Sequence, residues 1–369
     1  MNAVLIDSFR TWVNSNKYCL WKYRGERVGC WHCLCSAMDW ITVAIDYLSE
    51  AETNHLEEPR SNAGKAFMYI MHIGMLKEGV EQLHRVVFDT PDTVFKEDND
   101  IFPGNQFGQS DSEWFETLRA CFGAHPVNLK NPKEPKNKKR HYYASWSFKP
   151  IPLDNERADF AVELYPRSSL DDRIQIMMNL SQLSAYANKL NNHIDTVNRE
   201  LIRQHRVDVA KFQSIPIAKD EDPVKQLLIL VKECDNRFSA HKEEVTLLIS
   251  EISACKACIT NTPVVMEYMN ALVGTVSEYY EVLQNMSGEI ENPPWSFSMT
   301  VPDSISYERG KLGEFVRCED MPSCLVQRLF DYVSDVIAID KITMTRDQIA
   351  LSVRAALYYK SKQNQNLDH

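Results

Sequence analysis

Apolar residues recur at alternating steps of four and three in two long stretches of the second half of the chain. This spacing is typical of the seam along which one helix packs against another. The first stretch places apolar residues at Ile176, Leu180, Leu183, Ala187, Leu190, Ile194, Val197 and Leu201. The second stretch runs from Val224 to Ile259, after a Pro-bearing break at residues 214–223. We predict two long helices that form an antiparallel hairpin, although a helical protein partner or a second copy of the chain would satisfy the same pattern.

The first half of the chain has the pattern of a helical bundle. Cys30 to Tyr47 and Ala63 to Phe88 are rich in apolar residues, which favours two long helices. A shorter helix is predicted from Asp111 to Phe122, with Asp111 or Ser112 as its N-cap. These three helices are expected to pack together around one core.

Two extended segments, His141 to Phe148 and Phe160 to Tyr165, are rich in aromatic and β-branched residues and predict a small β hairpin. Shorter helices are expected after Pro302. The fold class is therefore mainly α: an N-terminal helical bundle with a small β hairpin, followed by a long antiparallel helical hairpin and C-terminal helices. Because a single core rarely grows beyond about 250 to 300 residues, we expect two domains, residues 1–168 and residues 169–369.

Composition narrows the class of protein. The balance of 44% hydrophobic and 25% charged residues is that of a globular protein, and the formal net charge is −10. This charge argues against a protein that coats nucleic acid by bulk electrostatics, but it permits a local basic site. No apolar run approaches the roughly 18 to 20 residues that cross a bilayer, and no signal-peptide pattern opens the chain. We expect a cytoplasmic protein with no membrane partner.

The cysteines suggest a metal site only weakly. Two CxxC pairs, Cys30 with Cys33 beside His32, and Cys255 with Cys258, could together supply four zinc ligands. Both pairs fall in predicted helices, whereas structural zinc pairs usually lie on turns, so reduced thiols are favoured. Motifs for a P-loop, a dinucleotide site or a Gly-x-Ser-x-Gly nucleophile do not occur in the sequence. We expect no metal and no cofactor.

Arg119 and His125 are the candidate catalytic pair. Arg119 falls in the last turns of a predicted helix, and His125 lies at its end between a glycine and a proline. Six steps along an α-helix rotate by about 600°, which leaves the two side chains about 120° apart unless the helix end is distorted. Imidazole can move a 2′-hydroxyl proton near neutral pH, and guanidinium can clamp phosphate. The alternative is a histidine that caps the helix C-terminus. Arg27 to His32 and Arg199 to His205 have similar spacing, but neither pair ends a predicted helix.

At these residues the chain resembles the HEPN superfamily, helical bundles whose catalytic members carry an Arg, four to six residues and a His at a helix end. Arg119 and His125 have five residues between them, and the resemblance covers roughly residues 12–147. It implies a metal-independent endoribonuclease that leaves cyclic phosphate ends. It also implies a dimer in which two Arg and His pairs face each other, and a role as a toxin or a phage-defence component, since many members of the family act in this way. The family often has Asn, Asp or His after the Arg, where this chain has Ala120.

A strongly basic segment follows the candidate pair. From Lys130 to His141 it has six Lys or Arg residues against one Glu. Such a segment can hold an RNA backbone, and nearby aromatic rings, Trp146 among them, offer stacking faces. The alternative is a solvated loop that keeps the protein soluble. The candidate RNA-binding residues are Lys130, Lys133, Lys136, Lys138, Lys139, Arg140, Tyr142 and Tyr143.

Two hypotheses for function follow. In the first, the protein is a HEPN-like metal-independent endoribonuclease or RNA-binding module, in which Arg119 binds phosphate and His125 is the general acid or base. Asp39, Glu78 or Glu81 could orient the imidazole from neighbouring helices, or could simply lie on solvated helix faces. In the second hypothesis, the protein is a non-enzymatic helical scaffold that binds another protein through its two seams.

Overall fold

The computed structural model confirms a mainly α-helical fold. It describes residues 1–27, 29–124, 129–130, 141–147, 158–166, 173–257, 262–287, 302–318 and 322–365. Contacts within the chain divide it into two compact units, Met1–His205 and Arg206–His369. Across the described ranges, no helix combines the length and the apolar character needed to cross a membrane.

The first unit is built mainly from helices. They are α1 (Val4–Ser15), α2 (Lys17–Leu20), α3 (Cys30–Thr53), α4 (Glu57–Ser61), α5 (Ala63–Phe88), α6 (Asp111–Arg119) and most of α7 (Leu180–Gln213). Two π-helical turns extend the shorter helices, at Trp21–Glu26 after α2 and at Ala120–Ala124 after α6. The predicted long apolar helices are confirmed as α3 and α5. α5 begins where the side chain of Asn62 accepts a hydrogen bond from the backbone N–H of Lys65 at 2.9 Å.

α6 begins at a different cap from the predicted one. The hydroxyl of Ser110 accepts from the N–H of Glu113 and the Glu113 carboxylate accepts from the N–H of Ser110, each at 3.3 Å, which forms a capping box. Asp111 is instead fully buried, and its carboxylate accepts from the N–H of Phe102 at 3.0 Å and from Nζ of Lys189 at 3.3 Å. Asp111 therefore ties the start of α6 to the preceding loop and to α7.

One antiparallel sheet has the strand order β1-β2-β3-β4. Its strands are β1 (Leu129–Lys130), β2 (His141–Ser147), β3 (Phe160–Pro166) and β4 (Ile174–Met178). The predicted hairpin is confirmed as β2 and β3, in which Trp146 lies opposite Val162. Ile176, the first residue of the predicted seam, lies in β4 instead of a helix. α7 starts at Leu180, whose N–H donates to the carboxylate of Asp159 at 2.8 Å.

The core of the first unit depends on a close approach between α3 and α5. A Cβ atom at Gly79 of α5 would lie 2.6 Å from Cγ1 of Ile41 and 3.3 Å from the carbonyl oxygen of Ala37, both on α3. Only a glycine allows this distance without a shift. The seam of α7 completes the core: Tyr186 is fully buried, and its ring stacks on Phe115 of α6 with the centroids 5.1 Å apart.

The second unit is entirely helical in the described ranges. Its helices are α8 (Pro223–Asn236), α9 (Lys242–Ala257), α10 (Pro263–Asn285), α11 (Ser306–Arg317), α12 (Gln327–Val333) and α13 (Arg346–Gln365), with 3₁₀ turns at Asp303–Ile305 and Ser323–Val326. The shorter helices predicted after Pro302 are thus confirmed. The single helix predicted from Val224 to Ile259 is wrong, because the chain breaks between α8 and α9, where Phe238 has a φ of 45°. Ile259 lies outside the described residues.

The predicted pairing of the two seams is corrected as well. Residues Leu180 to Leu201 of the first seam are buried within the first unit, whereas Leu227, Leu248 and Ile252 of the second seam belong to the core of the second unit. A heptad-like spacing shows that a helix buries one stripe, but not which surface covers that stripe. The two units divide between residues 205 and 206, inside α7, whereas the expected boundary was between residues 168 and 169. The difference arises because most of α7 belongs to the first unit.

Arg237 lies at the break between α8 and α9, directly after the last residue of α8. Its side chain is only 1% exposed, and Nε donates to the carboxylate of Glu233 at 2.8 Å. Nη1 donates to the carbonyl of Phe212 at 2.7 Å and Nη2 to that of Ile215 at 2.7 Å. A contact of 3.5 Å joins Nη1 to the carbonyl of Leu283 near the end of α10. One guanidinium therefore adds charge-assisted hydrogen bonds to carbonyls at the ends of two helices.

We predict that Gly79→Ala lowers the free energy of unfolding by about 1 to 3 kcal/mol, because the added methyl group overpacks the contact with Ile41. The measurement is urea denaturation followed by circular dichroism. Gly274→Ala in α10 is the control: its Cβ meets nothing within 4 Å, so the better helix propensity of Ala should stabilise. Equal effects of the two substitutions would contradict the close approach of α3 and α5.

Arg237→Leu should lower the free energy of unfolding of the second unit by about 2 to 4 kcal/mol, since it removes a buried guanidinium that donates to the carboxylate of Glu233 and to the carbonyls of Phe212 and Ile215. Arg317→Leu, at an exposed position of the same unit, should change it by no more than about 0.5 kcal/mol. Chemical denaturation of the full chain measures both. An unchanged midpoint for Arg237→Leu would refute this role.

Candidate functional site

Arg119, the last residue of α6, has a guanidinium fixed in orientation by two carboxylates. Nε donates to Oε2 of Glu116 at 3.0 Å, and Nη1 donates to Oε1 of Glu78 at 2.9 Å. The side chain crosses α5 at Gly74, where a Cβ atom would lie 3.1 Å from Cδ of Arg119. Among the residues that the structure describes, none accepts a hydrogen bond from Nη2. The guanidinium is therefore held in place with one amino group directed away from its partners.

Arg119 is the first of a row of alternating charges that begins on α6, with Arg119 and Glu116, and continues along α5. Glu116 also accepts from Nζ of Lys77 at 3.0 Å, and Lys77 pairs with Glu81 at 2.8 Å. Glu81 in turn pairs with Arg85 at 3.3 Å. Lys77 and Glu81 are almost fully buried, so each needs the partner that it has. Lys77 therefore holds the carboxylate of Glu116 from one side, and Arg119 donates to the same carboxylate from the other.

Each acidic residue that could orient the imidazole has a cationic partner in the structure. Asp39 pairs with Arg10 at 2.9 Å, Glu78 with Arg119, and Glu81 with Lys77. The resemblance to HEPN proteins gave no indication of a carboxylate that pairs with Arg119. Glu116 could have been inferred from its i,i+3 spacing to Arg119, whereas Glu78, on another helix, had no local signal.

The end of α6 is distorted directly after Arg119. Residues Ala120–Ala124 form a π-helical turn, in which each residue advances by about 80 to 90° instead of 100°. The accumulated rotation from Arg119 is therefore smaller than in an α-helix. The turn is anchored by Cys121 and Phe122, both buried, and the ring of Phe122 packs edge-on against Trp146 of β2 at 4.9 Å. His125 lies outside the described residues, so its distance from Arg119 stays a prediction.

The ends of the basic segment lie on paired strands. Lys130 of β1 is in register with His141 of β2, so the segment links two neighbouring antiparallel strands. The remaining candidate cations lie outside the described residues: Lys133, Lys136, Lys138, Lys139 and Arg140. Their contact with RNA stays a prediction.

The two candidate tyrosines lie on opposite faces of β2. Tyr142 is only 3% exposed, whereas Tyr143 is 40% exposed. Successive side chains of a strand point to opposite faces, which explains the difference. Tyr143 can therefore stack on a base, and the assignment of Tyr142 as a stacking residue is corrected, because its ring is part of the core.

The cysteine pairs do not form a metal site in the described residues. Cys33 lies in the first turn of α3, with Sγ 3.7 Å from Oε1 of Gln82, and burial raises the pKa of its thiol. Cys258 lies outside the described ranges. Within those ranges, no group of three or more His, Cys, Asp or Glu side chains could hold a metal ion.

A histidine pair joins α5 to α7 and had no signal in the sequence, because its members are far apart in the chain. Nε2 of His193 lies 3.1 Å from Nδ1 of His84, and the rings of Phe88 and Phe95 pack against the pair. Burial, with a smaller effect of His84, lowers the pKa of His193 to about 4, and burial also lowers the pKa of His84. Both imidazoles are thus neutral near pH 7, which suits a structural hydrogen bond.

Comparison of the chain with protein-family models, with curated proteins and with solved structures gives no match.

We predict that the protein loses stability as the pH falls from 7 towards 4. In this range the unfolded chain binds a proton at His193, near its ordinary pKa of about 6.5, and the folded chain does not. The loss should be on the order of 2 kcal/mol, and His193→Leu should reduce it. Urea denaturation at several pH values measures this. His32→Gln, at an exposed position, should keep the wild-type pH dependence, and an equally steep dependence in His193→Leu would contradict the assignment.

Proposed function

We propose that the first unit is a HEPN-like RNA-cleaving module, in which Arg119 binds a phosphate of RNA and His125 transfers protons during metal-independent cleavage. The observation that supports this proposal best is the fixed guanidinium of Arg119 directly before a π-helical turn. π-helical turns within helices occur frequently at functional sites.

Phosphate binding at Arg119 requires exchange of one carboxylate. Glu78 is 63% exposed, and exposed ion pairs typically contribute about 0 to 1 kcal/mol, so a phosphate can replace it at little cost. Glu116 is held by Lys77 as well and would keep Nε in place. Nη1 and Nη2 together would then present the paired donors that suit a phosphate.

The proton transfers assigned to His125 need no metal ion. A neutral imidazole can accept the proton of the 2′-hydroxyl as it attacks the adjacent phosphorus, and an imidazolium can donate a proton to the leaving 5′-oxygen. The products are a cyclic phosphate and a 5′-hydroxyl. The basic residues from Lys130 to Arg140 and the exposed ring of Tyr143 would hold the strand on either side. A second copy of the chain is part of this proposal, as the resemblance implies.

The scaffold hypothesis relied on seams that are open to a partner. Leu183, Leu190 and Leu201 of the first seam are fully buried within the first unit, so Leu190→Asp would measure stability rather than loss of a complex. The seams therefore give the scaffold hypothesis no docking surface, and we prefer the RNA-cleaving module.

We expect His125→Ala and Arg119→Ala each to slow cleavage of a single-stranded RNA by about 10²- to 10⁴-fold, because each removes a group that acts at the phosphate. Cleavage is followed on a labelled RNA in the presence of a metal chelator, and the ends are tested for cyclic phosphate. Circular dichroism checks that both variants are folded.

The matched control for these variants is Arg199→Ala. Arg199 has the same spacing to a histidine, at His205, but it is exposed, and its ion pair among the described residues is with Asp195 on its own helix. Its cleavage rate should equal that of the wild type. If the wild type does not cleave, or if His125→Ala cleaves at the wild-type rate, the catalytic assignment is wrong.

A further inference from the structure

A cleft of about 530 Å³ lies between α3 and α5 beside Arg119. This volume falls in the range of small-molecule sites. Trp40 of α3 and Met75 of α5 form apolar walls, and Glu78, Gln82 and Arg85 of α5 contribute polar groups. The close approach of the two helices at Gly79 closes the cleft at its base. Nothing in the activity proposed for Arg119 and His125 uses this cleft.

Trp40 gives the cleft a flat aromatic surface that is exposed to solvent. The residue is 56% exposed although it is one of the largest apolar side chains in the unit. No other ring or cation packs against its indole among the residues that the structure describes. An exposed indole at the wall of a cleft is a suitable surface for stacking of a nucleobase.

Arg85 supplies a second and independent indication of a ligand. Its Nε is shielded from solvent but has no hydrogen-bond acceptor in the described ranges, while its Nη2 donates to Glu81 at 3.3 Å. A buried donor without an acceptor is costly, so the guanidinium gains if it turns towards an acceptor in the cleft, which a ring nitrogen or a carbonyl oxygen of a bound group would supply. A nucleobase presents such acceptors along its edge.

The carboxylate of Glu78 connects the cleft to Arg119. Glu78 lines the cleft and also accepts from Nη1 of Arg119 at 2.9 Å. If a phosphate takes the place of Glu78 on Arg119, the carboxylate is released at the edge of the cleft. There it can accept a hydrogen bond from an amino group of a base, as carboxylates do for cytosine, and the amide of Gln82 can pair with adenine.

We propose that this cleft binds one base of a single-stranded RNA, stacked on Trp40, next to the phosphate that Arg119 holds. The inference rests on the proposed function for the identity of the ligand, but the cleft and its lining do not depend on catalysis. Since Glu78, Glu81 and the oxygen of Gln82 are acceptors, bases with an amino group fit better than uracil, whose edge has two carbonyl oxygens.

The test is binding of a fluorescein-labelled single-stranded oligoadenylate by the His125→Ala protein, in which cleavage is blocked, followed by fluorescence anisotropy. Trp40→Ala in this background should raise the dissociation constant about 5- to 150-fold, whereas Trp40→Phe should keep most of the affinity because it can still stack. Val43→Ala, also exposed on α3 but outside the cleft, is the control and should bind as its parent does. Oligouridylate should bind more weakly than oligoadenylate.

Binding of adenosine monophosphate tests the cleft independently of the proposed function. Its binding to the wild type should decrease in Trp40→Ala, whether or not the protein cleaves RNA. Loss of cleavage in Arg119→Ala with unchanged oligoadenylate binding in Trp40→Ala would overturn the base site and leave the proposed function intact. Trp40-dependent binding of adenosine monophosphate by a protein that cleaves no RNA would support the site and remove the nuclease. No binding of either probe would overturn the site.

Discussion

The close packing of α3 against α5 is the constraint on which the rest of the first unit depends. It requires a residue without a side chain at position 79, because a Cβ atom there would lie within 2.6 Å of Ile41. The same helix has a second glycine, Gly74, which leaves room for the side chain of Arg119 to lie across it. Two glycines on α5 therefore determine both the helix pair and the position of the candidate phosphate-binding group.

Local patterns in the sequence predicted the elements that depend on interactions between neighbouring residues. The helices α3 and α5, the hairpin of β2 and β3, and the end of a helix near Arg119 follow from periodicity, β propensity and chain breakers. The cap of α6 was predicted one or two residues late, at Asp111 or Ser112. Asp111 is an equally good cap by residue type, but its carboxylate pairs with Lys189, far away in the chain.

Most of the interactions that the sequence alone did not predict join distant parts of the chain. The ion pair of Arg119 with Glu78, the hydrogen bond of His84 with His193 and the carbonyl contacts of Arg237 each link separate elements. The heptad-like seams show the same limit: they predicted helices that bury one stripe, but the surfaces that cover them lie in two different units.

The arrangement of charges around Arg119 reconciles an acidic protein with the phosphate-binding role that we propose for this arginine. Lys77 lies between Glu81 and Glu116, so Glu116 is held by a cation other than Arg119. Because Glu116 stays in place, Arg119 keeps its orientation when the exposed Glu78 is replaced. Exchange of one weak, solvated ion pair for a phosphate then costs little, whereas loss of both carboxylates would free the side chain and carry the entropy cost of ordering it again. An arginine with one fixed and one exchangeable carboxylate is thus prepared to bind an anion without being left unpaired in its absence.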